Sequence, residues 1–236
     1  MVNYAYAVGR LRAIEAHMLD ESHLIRMVEA PGFEEAFLTL ADTPYAEKID
    51  KLEVAFDFET LLKLELLTAK ELLLNLAPQN EILGIMFKKY EMENQSDEAY
   101  LAELNRIAQK HRFPLFTQYV QGYTLLNQLK IDLLKGQLDV EKALNQYRYS
   151  DFSRAAILGL EHYQKSGSLH VLEREIDNYL MEILKKAKYR VFGLEPLIGF
   201  AYAKEIETKL LRLILTGKLL QVRVEDIKER LRLSYV

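Results

Sequence analysis

The residues whose types and spacing could do chemistry concentrate in the segment 192–218. On a helical wheel of about 100° per residue, Glu205, Lys209 and Arg212 form one narrow stripe, with Glu205 and Lys209 in the favourable i,i+4 order. On that wheel the stripe reads as a solvated face with ordinary pairing. Glu207 is different. It projects between Phe200 and Ile214, inside an apolar sector, and Lys218 follows about three turns later on the same line. A carboxylate in such a sector is costly without a partner, so Glu207 is expected to meet a cation or helix-terminal amides. Lys204, Lys218 or an arginine from another helix are the candidates. The chemistry this pattern suggests is ion pairing and docking. Glu205, Glu207, Arg212 and Lys218 are therefore the candidate partner-binding or structural residues.

Catalytic layouts are missing from the rest of the chain. No glycine-rich run offers backbone amides to a phosphate, and Lys165-Ser166-Gly167-Ser168 reads as a helix break. No His-Glu-x-x-His pair sets two imidazoles on one helical face. His17 and His23 lie across a turn, and His170 with Glu173 lacks the repeated partner motif of helical di-metal sites. No serine occupies a Gly-x-Ser-x-Gly elbow. Glu34 and Glu35 begin a short helix, where acids favour the positive N-terminus. The chain contains no cysteine, which excludes disulfides, zinc thiolates, iron–sulfur clusters and thiol nucleophiles. The expectation is a protein without catalytic residues, metal or cofactor. A helical enzyme with a carboxylate-lined pocket is the alternative from another class.

The elements that must position these residues are helices. Ten glycines and five prolines in 236 residues are sparse punctuation, too few for a sandwich or barrel. Tyr4, Ala7, Val8, Leu11, Ile14 and Met18 share one face of a helix running to about Leu19, and Asp20 caps a second to about Glu29. Helices follow over Phe33–Leu40, Asp57–Ala77 and about Asn80–Tyr90; Ser96 caps another through His111. Leu115–Lys135 ends at Gly136, and Asp139, Asp151 and Ser168 each cap a further helix. The last two helices span about Glu195–Leu219 and Val224–Leu233, and only Leu220–Val224 reads faintly as strand. Residues Glu195–Leu219 are apolar around most of the circumference, so this helix should be central. Tyr90–Asn94 and Tyr123–Asn127 share a Tyr-x-x-x-Asn spacing, a faint internal echo. The fold class is all-α: a compact multi-helix protein of similar helical units around long central helices.

Composition narrows the partners. A net charge of −4 argues against a dedicated nucleic-acid binder. The most apolar stretch, Leu61–Ala77, is interrupted by Lys63, Glu65, Lys70 and Glu71 and cannot span a bilayer. The N-terminal residues have no signal-peptide layout. These features predict a soluble chain that can still dock on a membrane complex.

The same charged segment carries a resemblance. Phe192-Gly193, Glu195-Pro196, Ala203-Lys204-Glu205-Ile206-Glu207, Leu211-Arg212-Leu213-Ile214 and Gly217-Lys218 resemble the signature of the V/A-type ATPase C subunit family, relatives of the eukaryotic d subunit. Tyr4-Ala5-Tyr6 with Arg10 and Arg12 is similar to the family's opening helix, Asp42-Thr43-Pro44-Tyr45 to its Thr-Pro-Tyr turn, and Tyr90–Asn94 to its central motif. Three positions depart from the pattern: Leu210 stands for a usual Asn, Phe200 for a common Tyr, and Glu91 for Asp. The resemblance implies a non-catalytic central-stalk subunit, peripheral on the cytoplasmic face of the membrane. Its partners would be the central shaft subunits and the membrane rotor ring of a rotary ATPase that moves protons or sodium ions. It further implies one helical region, 1–236, with sub-units of about 1–94, 95–167 and 168–236. A generic helical scaffold or interaction protein is the alternative without the resemblance.

Overall fold

The computed structural model describes residues 4–78, 80–88 and 97–236. Thirteen α-helices and two short 3-10 segments make up the secondary structure of these residues, with no strand among them. In order they are α1 Tyr4–Glu15, α2 Glu21–Glu29, α3 Phe33–Leu38, α4 Ala46–Ile49, α5 Phe58–Leu76, α6 Glu81–Lys88, α7 Asp97–His111, α8 Pro114–Leu134, α9 Val140–Tyr147, α10 Ser153–Ser166, α11 His170–Lys185, α12 Glu195–Leu219 and α13 Val224–Glu229. The protein is all-α.

The longest helix, α12, is also the hub. It packs against α5 most extensively, and against α1, α2, α3, α6, α8, α11 and α13. Leu197, Ile198, Ile206, Leu210, Leu211, Ile214 and Leu215 are all buried. Each such side chain contributes about 1.5–3 kcal/mol by leaving water. Because α12 is enclosed on most sides, Glu195, Lys204, Glu205, Glu207, Thr208 and Lys218 are buried too, and each must find a partner.

Local sequence explains most element ends. The Asp57 carboxylate accepts from Thr60 N at the start of α5 (3.0 Å), and Asp20 and Asp139 do the same for α2 and α9. The α8 terminus is a Schellman turn: Gly136 at φ +65 bonds Leu133 O, and Gln137 N bonds Asp132 O. At its other end Pro114 opens α8, and the Glu195 carboxylate accepts from Leu115 N (3.0 Å), joining the starts of α8 and α12.

Several ends differ from the sequence expectation, each for a tertiary or local reason. The first helix stops at Glu15, not Leu19, because the chain turns inward and Leu19 N donates to Glu207 on α12 (3.0 Å). Asp151 is not a cap, since a turn held by Ser153 N to Ser150 O delays α10 to Ser153. Ser168 is not one either; its hydroxyl bonds the His170 ring at 2.8 Å. Leu220 and Gln221 form a turn, with Gln221 at φ +53 and Val222 N bonded to Gly217 O, and Val224 already opens α13. The final helix ends at Glu229, and the tail lies along α11, with Leu233 N on the Asn178 side chain (2.8 Å) and Tyr235 buried. Ser96 and Tyr90–Asn94 lie outside the described residues.

Candidate functional site

Two charged networks grow from the middle of α12. Glu205 and Glu207 are two residues apart, about 200° on the wheel, so they face opposite sides of the helix.

On the Glu207 side, Lys204 lies one turn earlier and bridges two carboxylates. Its Nζ is 2.7 Å from Glu207 Oε1 and 2.7 Å from Glu65 Oε1 on α5. Lys48 on α4 takes the other Glu65 oxygen at 2.8 Å. Tyr45 OH donates to Glu207 Oε1 (2.7 Å), and Leu19 N donates to Oε2 (3.0 Å). Glu65, Lys204, Glu207 and Tyr45 are buried, and the two cations match the two carboxylates. Burial opposes the Lys204 charge, but Glu207 and Glu65 outweigh it and hold the ammonium above its usual range. Glu65 likewise falls below the usual carboxylate range, as Lys204 and Lys48 overcome its desolvation. Burial first, then Glu207 and Glu65, push the Tyr45 phenol well upward. It therefore stays a donor. The cluster is neutral in sum and closed within the chain.

On the Glu205 side the same helix faces an open groove of about 850 Å³. The Glu205 carboxylate meets Lys209 Nζ at 3.2 Å, and Lys209 reaches Asp177 on α11 at 3.1 Å. Arg232, from the tail after α13, takes the other Asp177 oxygen at 3.2 Å. Lys209 stays 38% exposed, whereas Glu205 is buried. Desolvation works against the Lys209 charge, yet Glu205 and Asp177 raise its pKa above the usual lysine range. Tyr100, Tyr123 and Tyr202 line the floor, with Tyr119 edge-on to Tyr202 at 5.4 Å; Leu134 and Leu220 are exposed on the rim. The stripe expected to be solvated is thus half enclosed, because α11 and the tail pack across it.

The structure does not gather the four expected residues into one site. Glu207 is in the closed cluster, and Glu205 is in the groove wall. Arg212, farther along the groove, grips Glu59 of α5 with Nε to Oε1 at 3.0 Å and Nη2 to Oε2 at 2.9 Å. Lys218 donates to Ala30 O at the end of α2 (2.6 Å), where a cation suits the unsatisfied carbonyl. Burial depresses its pKa. Among the partners, Lys204 was named by spacing, and Glu65 stood out as a charge inside an apolar stretch. Asp177 and Arg232 carried no signal, since only the α11–α12 packing and the path of the tail bring them to Lys209.

The other polar candidates are dispersed. His17 bonds Ala13 O and His23 bonds Asp20, so the two imidazoles point to separate partners. Glu173 pairs with Lys130, while His170 meets His162 edge-on with centroids 4.5 Å apart. Among the described residues, no group of three His, Asp or Glu side chains is placed to hold a metal ion.

Comparison with known proteins places this architecture. The chain is 30% identical over 111 residues to the C subunit of the A-type ATP synthase of Methanocaldococcus jannaschii, covering 47% of this chain and 28% of that protein. It is 42% identical over 64 residues to the C subunit of the V-type sodium ATPase of Enterococcus hirae, covering 27% of this chain and 20% of the relative. With the C subunit of the A-type ATP synthase of Pyrococcus horikoshii the alignment reaches 97% of this chain and 60% of the relative, at 25% identity. The aligned part thus spans less than two thirds of each of these relatives. The profile of the ATP synthase (C/AC39) subunit family matches residues 7–96 and 116–230, which include α12 and, apart from Arg232, both of its charged networks. The chain belongs to the ATP synthase (C/AC39) subunit family.

Proposed function

We propose that this chain is a non-catalytic central-stalk subunit of a V/A-type rotary ATPase. It acts as a socket that couples the central shaft to the membrane rotor ring, on the cytoplasmic face, for ATP-linked proton or sodium transport. Family membership carries this reading, and the hub position of the family-matched helix α12 supports it. An adaptor that passes torque must resist shear, and close-packed helices cross-braced by buried ion pairs do so. No helix of the described residues is long and apolar enough to cross a membrane, which is compatible with attachment through the ring.

The candidate residues divide under this proposal. The groove of α12, with Glu205 and Arg212 in its wall, is the face that receives a helix of the shaft. Glu207 and Lys218 hold the socket in shape. The three units of about 1–94, 95–167 and 168–236 are joined through α12, which comes from the last of them and packs on α1, α2, α3, α5 and α6 of the first.

The test is co-purification from detergent-solubilised membranes with a tag on this chain. Ring and shaft subunits are expected to come down together, and Arg212→Glu should reduce their recovery while ATP hydrolysis by the free catalytic head persists. A tagged chain that returns alone from intact complexes would overturn the proposal.

A further inference from the structure

The link between α11 and α12 carries a surface that neither charged network uses. Its sequence is Lys185-Lys186-Ala187-Lys188-Tyr189-Arg190-Val191-Phe192, four cations interleaved with three large apolar side chains. Tyr189 is 86% exposed, Val191 67% and Phe192 69%. Three large apolar side chains are thus exposed within four residues, a concentration that scattered surface residues do not reach.

The patch is held in place from beneath. Arg12 Nη2 on α1 donates to Ala187 O (2.9 Å) and Lys188 O (2.8 Å), fixing the backbone where α11 ends. Lys188 Nζ sits 4.5 Å over the Tyr235 ring, and Arg190 Nε lies 3.3 Å from Glu195 Oε2. Gly193, at φ +97, supplies the reversal into α12. The loop is thus anchored by its backbone and inner cations while its apolar side chains project. A surface ordered before contact loses little entropy on binding.

The charges around the patch point to what it fits. Lys185 and Lys186 make no ion pair among the described residues, and Lys186 is exposed. Glu15 is paired with Arg12 and Glu195 with Arg190, and Glu182 lies one turn back on α11. The loop is therefore locally basic on a chain of net charge −4. Cations beside exposed Tyr, Val and Phe match an anionic bilayer surface, where phosphates meet the ammonium groups and the apolar tips enter the headgroup layer.

We infer that the 185–192 loop is a lipid-contact element that docks on anionic headgroups. This goes beyond the shaft-and-ring socket and does not depend on it, because the loop needs only phosphate charge and an acyl boundary. Sedimentation with sucrose-loaded vesicles tests it on the isolated full chain. Vesicles of phosphatidylcholine with one quarter phosphatidylglycerol should carry the protein into the pellet, and pure phosphatidylcholine should not. Each cation lost from an anionic surface lowers partition about fivefold, so Lys185→Gln/Lys186→Gln should weaken it about 25-fold. Val191→Ser/Phe192→Ser should weaken it by at least about tenfold. Lys186, Val191 and Phe192 are exposed and Lys185 is partly so, and an unchanged thermal melt confirms that each variant is folded. No pelleting with the anionic vesicles, equal pelleting with neutral ones, or pelleting that either double variant leaves intact would each overturn the assignment. None of these outcomes bears on recovery of ring and shaft subunits.

Discussion

Glu205 and Glu207 sit two residues apart on one helix, each paired to a lysine of that helix, yet their surroundings differ in kind. Glu207 and Lys204 lie in a sealed cluster with Glu65, Lys48, Tyr45 and the amide of Leu19. Glu205 and Lys209 lie beside Asp177 and Arg232 on the wall of an open groove. The sealed side is buried from solvent, so its charges are committed to the fold. On the groove side solvent can reach Lys209, and so can another protein. Spacing along the helix made both pairs. The elements packed outside them decided which is structural and which is available.

The sharpest way to break this comparison is to remove one lysine from each side. Lys204→Met leaves Glu65 and Glu207 buried without their shared cation and should cost about 3–5 kcal/mol in urea unfolding. Lys209→Met should cost less, about 1–3 kcal/mol, because Arg232 still holds Asp177 and Lys209 is itself partly exposed, although Glu205 is buried. Equal losses would show that the groove side is as closed as the other. Next in size, Tyr45→Phe deletes one donor to Glu207 while keeping the ring, and should cost about 1.5–3 kcal/mol by the same measurement.

Acid removes the contribution of both a sealed and a surface carboxylate, and salt separates them. The Glu65 pKa in the folded chain lies below its ordinary 4.5, so its stabilising contribution is present above pH 4.5 and is lost as the pH falls through the folded value. Glu81, surrounded at the surface by Lys110, Arg106 and His111, is lowered to about 2 and has the same sign, its window running from about 4.5 to about 2. Urea midpoints of Glu65→Gln and Glu81→Gln against the parent, from pH 6 to 2, should converge on the parent value at the acid end. About 1 M salt should flatten the Glu81 difference and leave the Glu65 difference standing. A Glu65 curve that salt flattens equally would contradict its burial.

The smallest stability effect is expected at Arg212. Its bidentate pair with Glu59 is half exposed, so Arg212→Ala should lower stability by less than about 1 kcal/mol. Under the socket proposal its larger effect is on recovery of the shaft, which makes Arg212 a cleaner probe of assembly than Glu207, whose charge reversal would first disturb the fold. A large drop in the melting temperature of Arg212→Ala would remove that distinction.

Some of this was legible in the sequence. Sparse Gly and Pro, helical spacing of Leu and Ile, and the carboxylate caps at Asp20 and Asp139 are local properties, and a helix depends on residues within one turn. The same holds for the wheel of 195–219, which marked the helix as enclosed and Glu207 as a carboxylate in need of a cation. The resemblance to the family was read from the same segment, which the family profile includes. Element ends at Glu15, Ser153 and Glu229 were not legible, since they depend on what the chain meets on leaving the helix. Nor could spacing say that Lys204 rather than Lys218 would reach Glu207, that Asp177 and Arg232 would join Lys209, or that Glu205 would be half enclosed above a groove. The partners that close around Glu207 come from as far as 188 residues away along the chain, as Leu19 does, and only packing sets which groups share a space. The sequence by itself determined a helical protein with charges that require partners; the tertiary structure decided which charges are closed inside and which face out.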